Sequence, residues 1–174
     1  MTDTIIRRAG PGDAAMLAEV GRDTFVETFA HLYPPEDLKA FLEAAYSPES
    51  FGRFLDGEAH ALWIAESAGR AVGYVQVGPC ALPHPEVTSA CGEVKRLYVR
   101  RETQGSGLGS RLLGIGLDWL DAPGRRLWIG VWSQNLGAQR LYERHGFRRV
   151  GGYQFAVGKT LDDEFILSRE AAQP

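Results

Sequence analysis

Leu97-Tyr98-Val99-Arg100-Arg101-Glu102-Thr103-Gln104-Gly105-Ser106-Gly107-Leu108-Gly109-Ser110 is the stretch on which the reading of this chain turns. Its first residues end an extended run that starts at Glu93. Alternation there puts Val94, Arg96 and Tyr98 on one face of a strand and Glu93, Lys95, Leu97 and Val99 on the other. Its last residues open a helix over about 106–120, where Leu108, Leu112, Ile115 and Trp119 predict one buried stripe. Between strand and helix stand glycines at 105, 107 and 109. Without side chains they let backbone N–H groups approach an anion closely. The helix start adds its own unpaired N–H groups and the positive end of its dipole. That chemistry is pyrophosphate binding, although a tight strand-to-helix turn with no ligand uses the same residues.

Two other phosphate motifs fail against these residues. A P-loop needs GxxxxGK[ST], and no Lys-Ser/Thr pair follows the glycines. A dinucleotide fingerprint needs GxGxxG, and Ser110 stands where the third glycine belongs. Two further glycines, 114 and 116, lie inside the helical span, where each costs up to ~1 kcal/mol relative to alanine. Close packing on a sheet is the expected reason for them.

Outward from this centre, residues 4–8 read as a strand. Asp13 is placed to cap a helix carrying Met16, Leu17, Val20, Phe25 and Phe29. Pro35 starts another helix with Leu38, Phe41, Leu42 and Ala45 on one side. Strands are predicted over 61–66 and 71–77, then a proline-bearing loop over 79–91. After the glycine-loop helix come a strand over 126–132, a helix over 135–144, and strands over 147–155 and 165–168. Strands alternating with helices imply one α/β domain with a mixed sheet over residues 1–174.

Composition narrows the function classes. The chain has 174 residues and a net charge of −3, with Lys and Arg spread rather than massed, which argues against a nucleic-acid partner. The apolar runs are short, so no membrane span is expected, and the first residues lack a basic start followed by an apolar stretch. A cytoplasmic location follows. Cys80 and Cys91 read as reduced thiols. The four histidines are scattered, and no metal is expected.

Four motifs in register carry a specific resemblance. Gln104-x-x-Gly107-x-Gly109 is similar to the Q/R-x-x-G-x-G/A signature of the GCN5-related N-acetyltransferase (GNAT) superfamily. The strand before it ends in Leu97-Tyr98-Val99. Asn135-x-x-Ala138 follows the next strand, and Leu141-Tyr142-Glu143-Arg144-His145-Gly146-Phe147 is similar to the family's LYxxxGF segment. The resemblance is close over about 60–156. It implies a GNAT-like fold: a mixed, mostly antiparallel sheet of six or seven strands flanked by helices and splayed at the cofactor site. It also implies an acetyl-CoA-dependent acetyltransferase, active without a metal, that passes the acetyl group directly to a primary amine. A non-catalytic acyl-CoA-binding or sensing module and a protein or peptide N-acetyltransferase remain as alternatives.

The resemblance also implies roles for residues. Leu97, Tyr98 and Val99 pair with the pantetheine arm through their backbone, and Gln104, Gly105, Ser106, Gly107, Leu108, Gly109 and Ser110 hold the pyrophosphate. Asn135 bonds the cofactor, caps its helix, or does both. Tyr142 is the expected general acid toward the leaving thiolate, or else a core aromatic. Glu93 is the expected general base, or else a solvated strand-end charge. Arg100, Arg101 and Arg111 lie near the phosphate loop in sequence. Residues 24–29, 127–132 and 155–158 are similar to a bacterial subgroup that includes a spermidine/spermine acetyltransferase. That likeness implies a polyamine acceptor touched by Phe25, Glu27 and Phe29. Many members of the superfamily dimerise, and a homodimer fits the resemblance.

Overall fold

The computed structural model describes residues 3–171. Seven strands, β1 (Ile5–Arg8), β2 (Ala61–Ser67), β3 (Arg70–Pro79), β4 (Gly92–Val99), β5 (Leu127–Trp132), β6 (Arg148–Val157) and β7 (Thr160–Arg169), form one sheet in the order β1-β2-β3-β4-β5-β7-β6. Five helices cover it: α1 (Ala14–Phe29), α2 (Pro35–Ala45), α3 (Pro48–Leu55), α4 (Leu108–Leu120) and α5 (Leu136–Arg144). Neighbouring strands run antiparallel except β4 and β5, which are parallel. The α/β architecture and the strand count agree with the expectation from sequence.

That one parallel pair is short. Gly92 faces Leu127, Glu93 faces Trp128 and Val94 faces Ile129, and there the pairing ends. The next residue of β4 is a bulge: Val77 of β3 lies opposite Val94, but Gln76 lies opposite Arg96, so Lys95 is extra. A bulge bends its strand and increases the local twist. Here it coincides with the point where β4 leaves β5, so the sheet opens from Lys95 onward.

The bulge also corrects the expected alternation. Val94 does not share a face with Arg96 and Tyr98. It packs with Leu97 and Val99 in the cluster under α4, beside Val75, Val77, Leu112, Leu117 and Leu120. Tyr98 lies on the opposite face with Leu17, Phe25, Phe29, Phe51, Ile64 and Tyr74, beneath α1 and α3. Arg96 points to that side as well, its guanidinium 4.6 Å from the Tyr46 ring.

Several local expectations shift. Asp13 does not cap α1 with its side chain. Its carboxylate turns back to the Gly10 N–H at 2.8 Å and to the Arg7 guanidinium at 2.7 Å. Helix α3 was not expected, yet its start is conventional: the Ser47 hydroxyl accepts from the Ser50 N–H at 3.1 Å, and Pro48 occupies the first turn. The buried stripe of α4 runs through Leu108, Leu112, Leu113, Leu117 and Leu120, whereas Trp119 lies outside it, 37% exposed and edge-on to Trp63. Gly116 does allow close packing, since a β-carbon there would meet Val77 Cγ1 at 2.9 Å, but Gly114 faces open space. Strand β7 is longer than predicted and forms a hairpin with β6 over most of its length. Among the described residues no helix is long and apolar enough to cross a membrane.

Candidate functional site

A cavity of about 710 Å³ occupies the opening between β4 and β5. One wall is β4 from Val94 to Val99. The other is β5 from Ile129 to Trp132, with Ala138, Leu141 and Tyr142 of α5 behind it. Beyond Val94, the side of β4 that faces the cavity has no strand partner. Backbone groups of Lys95, Arg96, Leu97, Tyr98 and Val99 are therefore presented to whatever enters, as the edge of a sheet presents them to an added strand.

The glycine loop forms one end. Gly105 and Gly107 adopt φ of +79° and +81°, which a residue with a β-carbon rarely does, and nothing lies within 4 Å of where that β-carbon would be. Gly107 immediately precedes α4, so the first N–H groups of the helix and its dipole converge on this end. Gln104, Gly105, Gly107, Gly109 and Ser110 line the cavity. Ser106 does not; its hydroxyl donates to the Thr103 carbonyl at 2.6 Å. Leu108 is 3 % exposed and belongs to the core. For these two, any contribution to ligand binding is through backbone. Asn135 lines the cavity and caps α5 as well, its Oδ1 accepting from the Ala138 N–H at 3.1 Å.

The arginines sort differently from their sequence positions. Arg100 is buried and structural, donating to the Ala71 carbonyl at 2.8 Å and to Asp23 at 2.7 Å. Arg111 is exposed and lies off the cavity. Arg101 lines it, as does Arg144, which the sequence reading did not single out. Arg144 stands one turn from Arg140 on α5, close to the loop before β6.

At the other end stand aromatic side chains. Phe29 packs edge-on against Trp132 at 5.6 Å and Tyr98 at 6.4 Å, and all three line the cavity. Phe25, expected to touch substrate, is not part of the cavity lining. It is enclosed by Phe29, Phe41 and Tyr46 with centroids 4.8 to 5.5 Å away, and is part of the core. Glu27 reaches the cavity, but its carboxylate accepts from the Arg101 N–H at 2.8 Å.

The two expected catalytic residues part company. Tyr142 lines the cavity, is 6 % exposed, and among the described residues no hydrogen bond fixes its hydroxyl. Burial, then the negative charge of Glu164, pushes its phenol well above the ordinary range, so it stays protonated at neutral pH. Glu93 is not part of the cavity wall. Its Oε2 accepts from the Ala81 N–H and from the Lys95 ammonium, both at 2.9 Å, in a largely buried ion pair. Expected as the general base or else as a solvated strand-end charge, Glu93 is found as the buried partner of Lys95 and the Ala81 N–H. Besides Glu27, whose carboxylate is bonded to the Arg101 N–H, Glu164 reaches the cavity from β7, opposite Trp132. Burial, reinforced by Asp162 two residues earlier, pushes its carboxyl up to about 7. In the sequence, Asp162-Asp163-Glu164 is indistinguishable from an ordinary solvated acidic run.

Cys80 is not in the cavity wall, and burial pushes its thiol up to about 11, which suits a packing role better than a nucleophilic one.

Comparison with known proteins agrees with this geometry. The sequence profile described as the acetyltransferase (GNAT) family matches residues 23–147. An uncharacterized N-acetyltransferase from the pepI 3′ region of Lactobacillus delbrueckii subsp. lactis is 27% identical over 173 residues, covering 97% of this chain and 98% of its own. An uncharacterized N-acetyltransferase of Mycobacterium tuberculosis is 28% identical over 162 residues, 91% of this chain and 97% of its own. The PaiA N-acetyltransferase of Thermoplasma acidophilum, solved in complex with coenzyme A, superposes with a TM-score of 0.74 over 97% of this chain and 99% of its own. At 18% identity, that likeness speaks for the fold.

Proposed function

The chain belongs to the acetyltransferase (GNAT) family and is an acetyl-CoA-dependent N-acetyltransferase, and from there we propose that its acceptor is a primary amine that takes the acetyl group by direct attack. The observation that carries this reading is the opening of the sheet after Val94. It ends in a loop where two glycines at positive φ leave open space beside a helix start. A long acyl carrier with a pyrophosphate fits there. Its phosphates would meet the N–H groups of residues 104–110, and its arm would lie along residues 97–99.

When bound, acetyl-CoA supplies an acyl group activated as a thioester. The chain's own residues do the rest. The β4 edge and the α4 start hold and orient the donor, and Asn135 adds a polar contact while keeping α5 capped. Tyr142, protonated at neutral pH, is the proton donor toward the departing sulfur.

Within the amines, a polyamine is the acceptor to test first. Residues 24–29, 127–132 and 155–158 support it through their likeness to a polyamine-acetylating subgroup, and the aromatic end of the cavity with Glu164 supports a cationic guest. Lys95 and Arg96 also line the cavity. Their charges are engaged, by the Glu93 carboxylate for Lys95 and by the Ala45 carbonyl and Tyr46 ring for Arg96.

Titration calorimetry of acetyl-CoA, and separately of NAD, into the protein is the test, followed by a thiol-release screen with spermidine, spermine and putrescine. Binding of acetyl-CoA and not NAD, with turnover of an amine, is expected. No binding of acetyl-CoA by folded protein sinks the reading. Turnover of other amines but none of the polyamines sinks the polyamine alone.

A further inference from the structure

Resting on the acetyltransferase reading above, we propose that Glu164 is the base that takes the proton from the acceptor ammonium, across the cavity from Tyr142. The residue is carried in the middle of β7, between Trp132 of β5 and Tyr153 of β6. Gly130 of β5 lies beside it. A β-carbon at 130 would press on the Tyr153 hydroxyl oxygen at 3.2 Å and Leu82 Cδ2 at 3.3 Å, and would touch Glu164 Oε2 in ordinary contact at 3.7 Å, so the carboxylate sits next to the Tyr153 phenol at the bare backbone of Gly130. Gly130 and Glu164 both line the cavity between β4 and β5. Glu93, by contrast, is committed to Lys95 and the Ala81 N–H outside it.

The groups around Glu164 explain its proton affinity. Asp162, on the same strand, accepts a hydrogen bond from Tyr33. Tyr153 stands opposite Glu164 on β6, and Tyr98 of β4 and Tyr142 of α5 line the same cavity; burial followed by negative charge, Glu164's included, pushes each phenol upward. The nearby cations of β4, Lys95 and Arg96, are held by Glu93 and by the Ala45 carbonyl. Half-buried, with a carboxylate neighbour and, among the described residues, no cation bonded to it, Glu164 has its carboxyl pushed up to about 7, where a base must work to accept a proton and release it again.

Protons balance. Glu164 takes one proton from the ammonium, so an N–H bond breaks, an O–H bond forms, and the nitrogen gains a free electron pair. In the transfer the donor's carbonyl carbon gains a C–N bond and loses its C–S bond. Tyr142 gives its phenolic proton to the sulfur, and the second proton shed by the nitrogen restores the phenol. Glu164 then releases its proton to water. Each turnover gives one amide, one thiol and one proton, with nothing oxidised or reduced.

The test compares wild type with Glu164→Gln. Carboxyl-carbon NMR on Glu-labelled, ligand-free protein needs no acceptor. One resonance with a midpoint near 7 is expected in the wild type and absent from the variant. Thiol release is followed against pH with spermidine or, where it turns over faster, an alanine-headed peptide. A fall in kcat/KM of about 10²-fold at neutral pH is expected, with loss of the inflection near 7. Acetyl-CoA affinity by calorimetry should be unchanged. A variant that keeps the wild-type rate and inflection, or a Glu164 resonance titrating in the usual carboxylate range, overturns the assignment of the base. A wild type that does not bind acetyl-CoA overturns the acetyltransferase reading instead.

Discussion

A half-buried carboxyl pushed up to about 7 must leave a mark on stability, independent of catalysis. Glu164 moves from 4.5 to about 7 on folding, burial being the main cause and Asp162 the second. Each pH unit of such a difference corresponds to about 1.4 kcal/mol between charged and neutral forms, so full burial would give ~3 kcal/mol. The side chain keeps some contact with solvent, and about 2–3 kcal/mol is the expected magnitude. The direction is set by the raised value. Below 4.5 the carboxyl is neutral in both folded and unfolded chains and nothing differs. As pH rises from 4.5 to 7, the unfolded chain ionises first and folding loses stability. Above 7 the loss is complete. Glu164→Gln removes that loss. Thermal denaturation of both proteins from acid to mildly alkaline pH should therefore show equal stability in acid. In alkali the variant should be more stable, by about 5–10 °C in Tm for a chain of this size. Parallel curves for the two proteins would refute the physical argument, whatever the kinetics show.

Other substitutions probe the remaining parts. Gly107→Asp has room for its side chain but places a carboxylate at the phosphate end on a left-handed backbone. Acetyl-CoA affinity by calorimetry should fall at least tenfold, about 1.4 kcal/mol, and unchanged affinity in a folded variant would break the loop assignment. Tyr142→Phe should lower kcat by about 10²-fold while leaving acetyl-CoA affinity alone, because only the hydroxyl is lost; wild-type turnover would return this tyrosine to packing. Phe25→Ala should cost about 3–5 kcal/mol in urea unfolding, since the ring is enclosed by aromatic neighbours and does not reach the cavity. A selective rise in acceptor KM with stability intact would restore it to the substrate site.

The residues that were legible from sequence are those whose role is written in their own few neighbours. Gly105 and Gly107 are needed because the backbone turns left-handed between a strand and a helix, and such a demand shows as glycine at fixed offsets. Asn135 caps α5 through an N–H only three residues away. The start of α3 was equally local, with Ser47, Pro48 and Glu49 in order, and was simply passed over. Phe25 and Phe29 show the limit. They lie one turn apart on α1 and are chemically identical, yet one is sealed under Phe41 and Tyr46 while the other meets Trp132 in the cavity. Which is which depends on where α2 and β5 lie, and no property of α1 states it.

By itself, then, the amino-acid sequence determined the α/β class, the glycine loop at the head of α4, and the order of motifs that marks the family. Each of these depends on backbone preferences and periodicities acting over a few residues. Only the tertiary structure decided that Glu164 stands in the cavity and Glu93 does not. The bulge at Lys95, set by pairing with β3, changes which side chains share a face and coincides with the parting of β4 from β5. Glu93 remains beside Lys95 and Ala81. Glu164, more than 30 residues from Gly130 in the chain, is brought over it by the pairing of β7 with β5. The proton affinity of a carboxyl follows from what surrounds it in space, burial and Asp162 here. Those surroundings exist only once distant strands have paired.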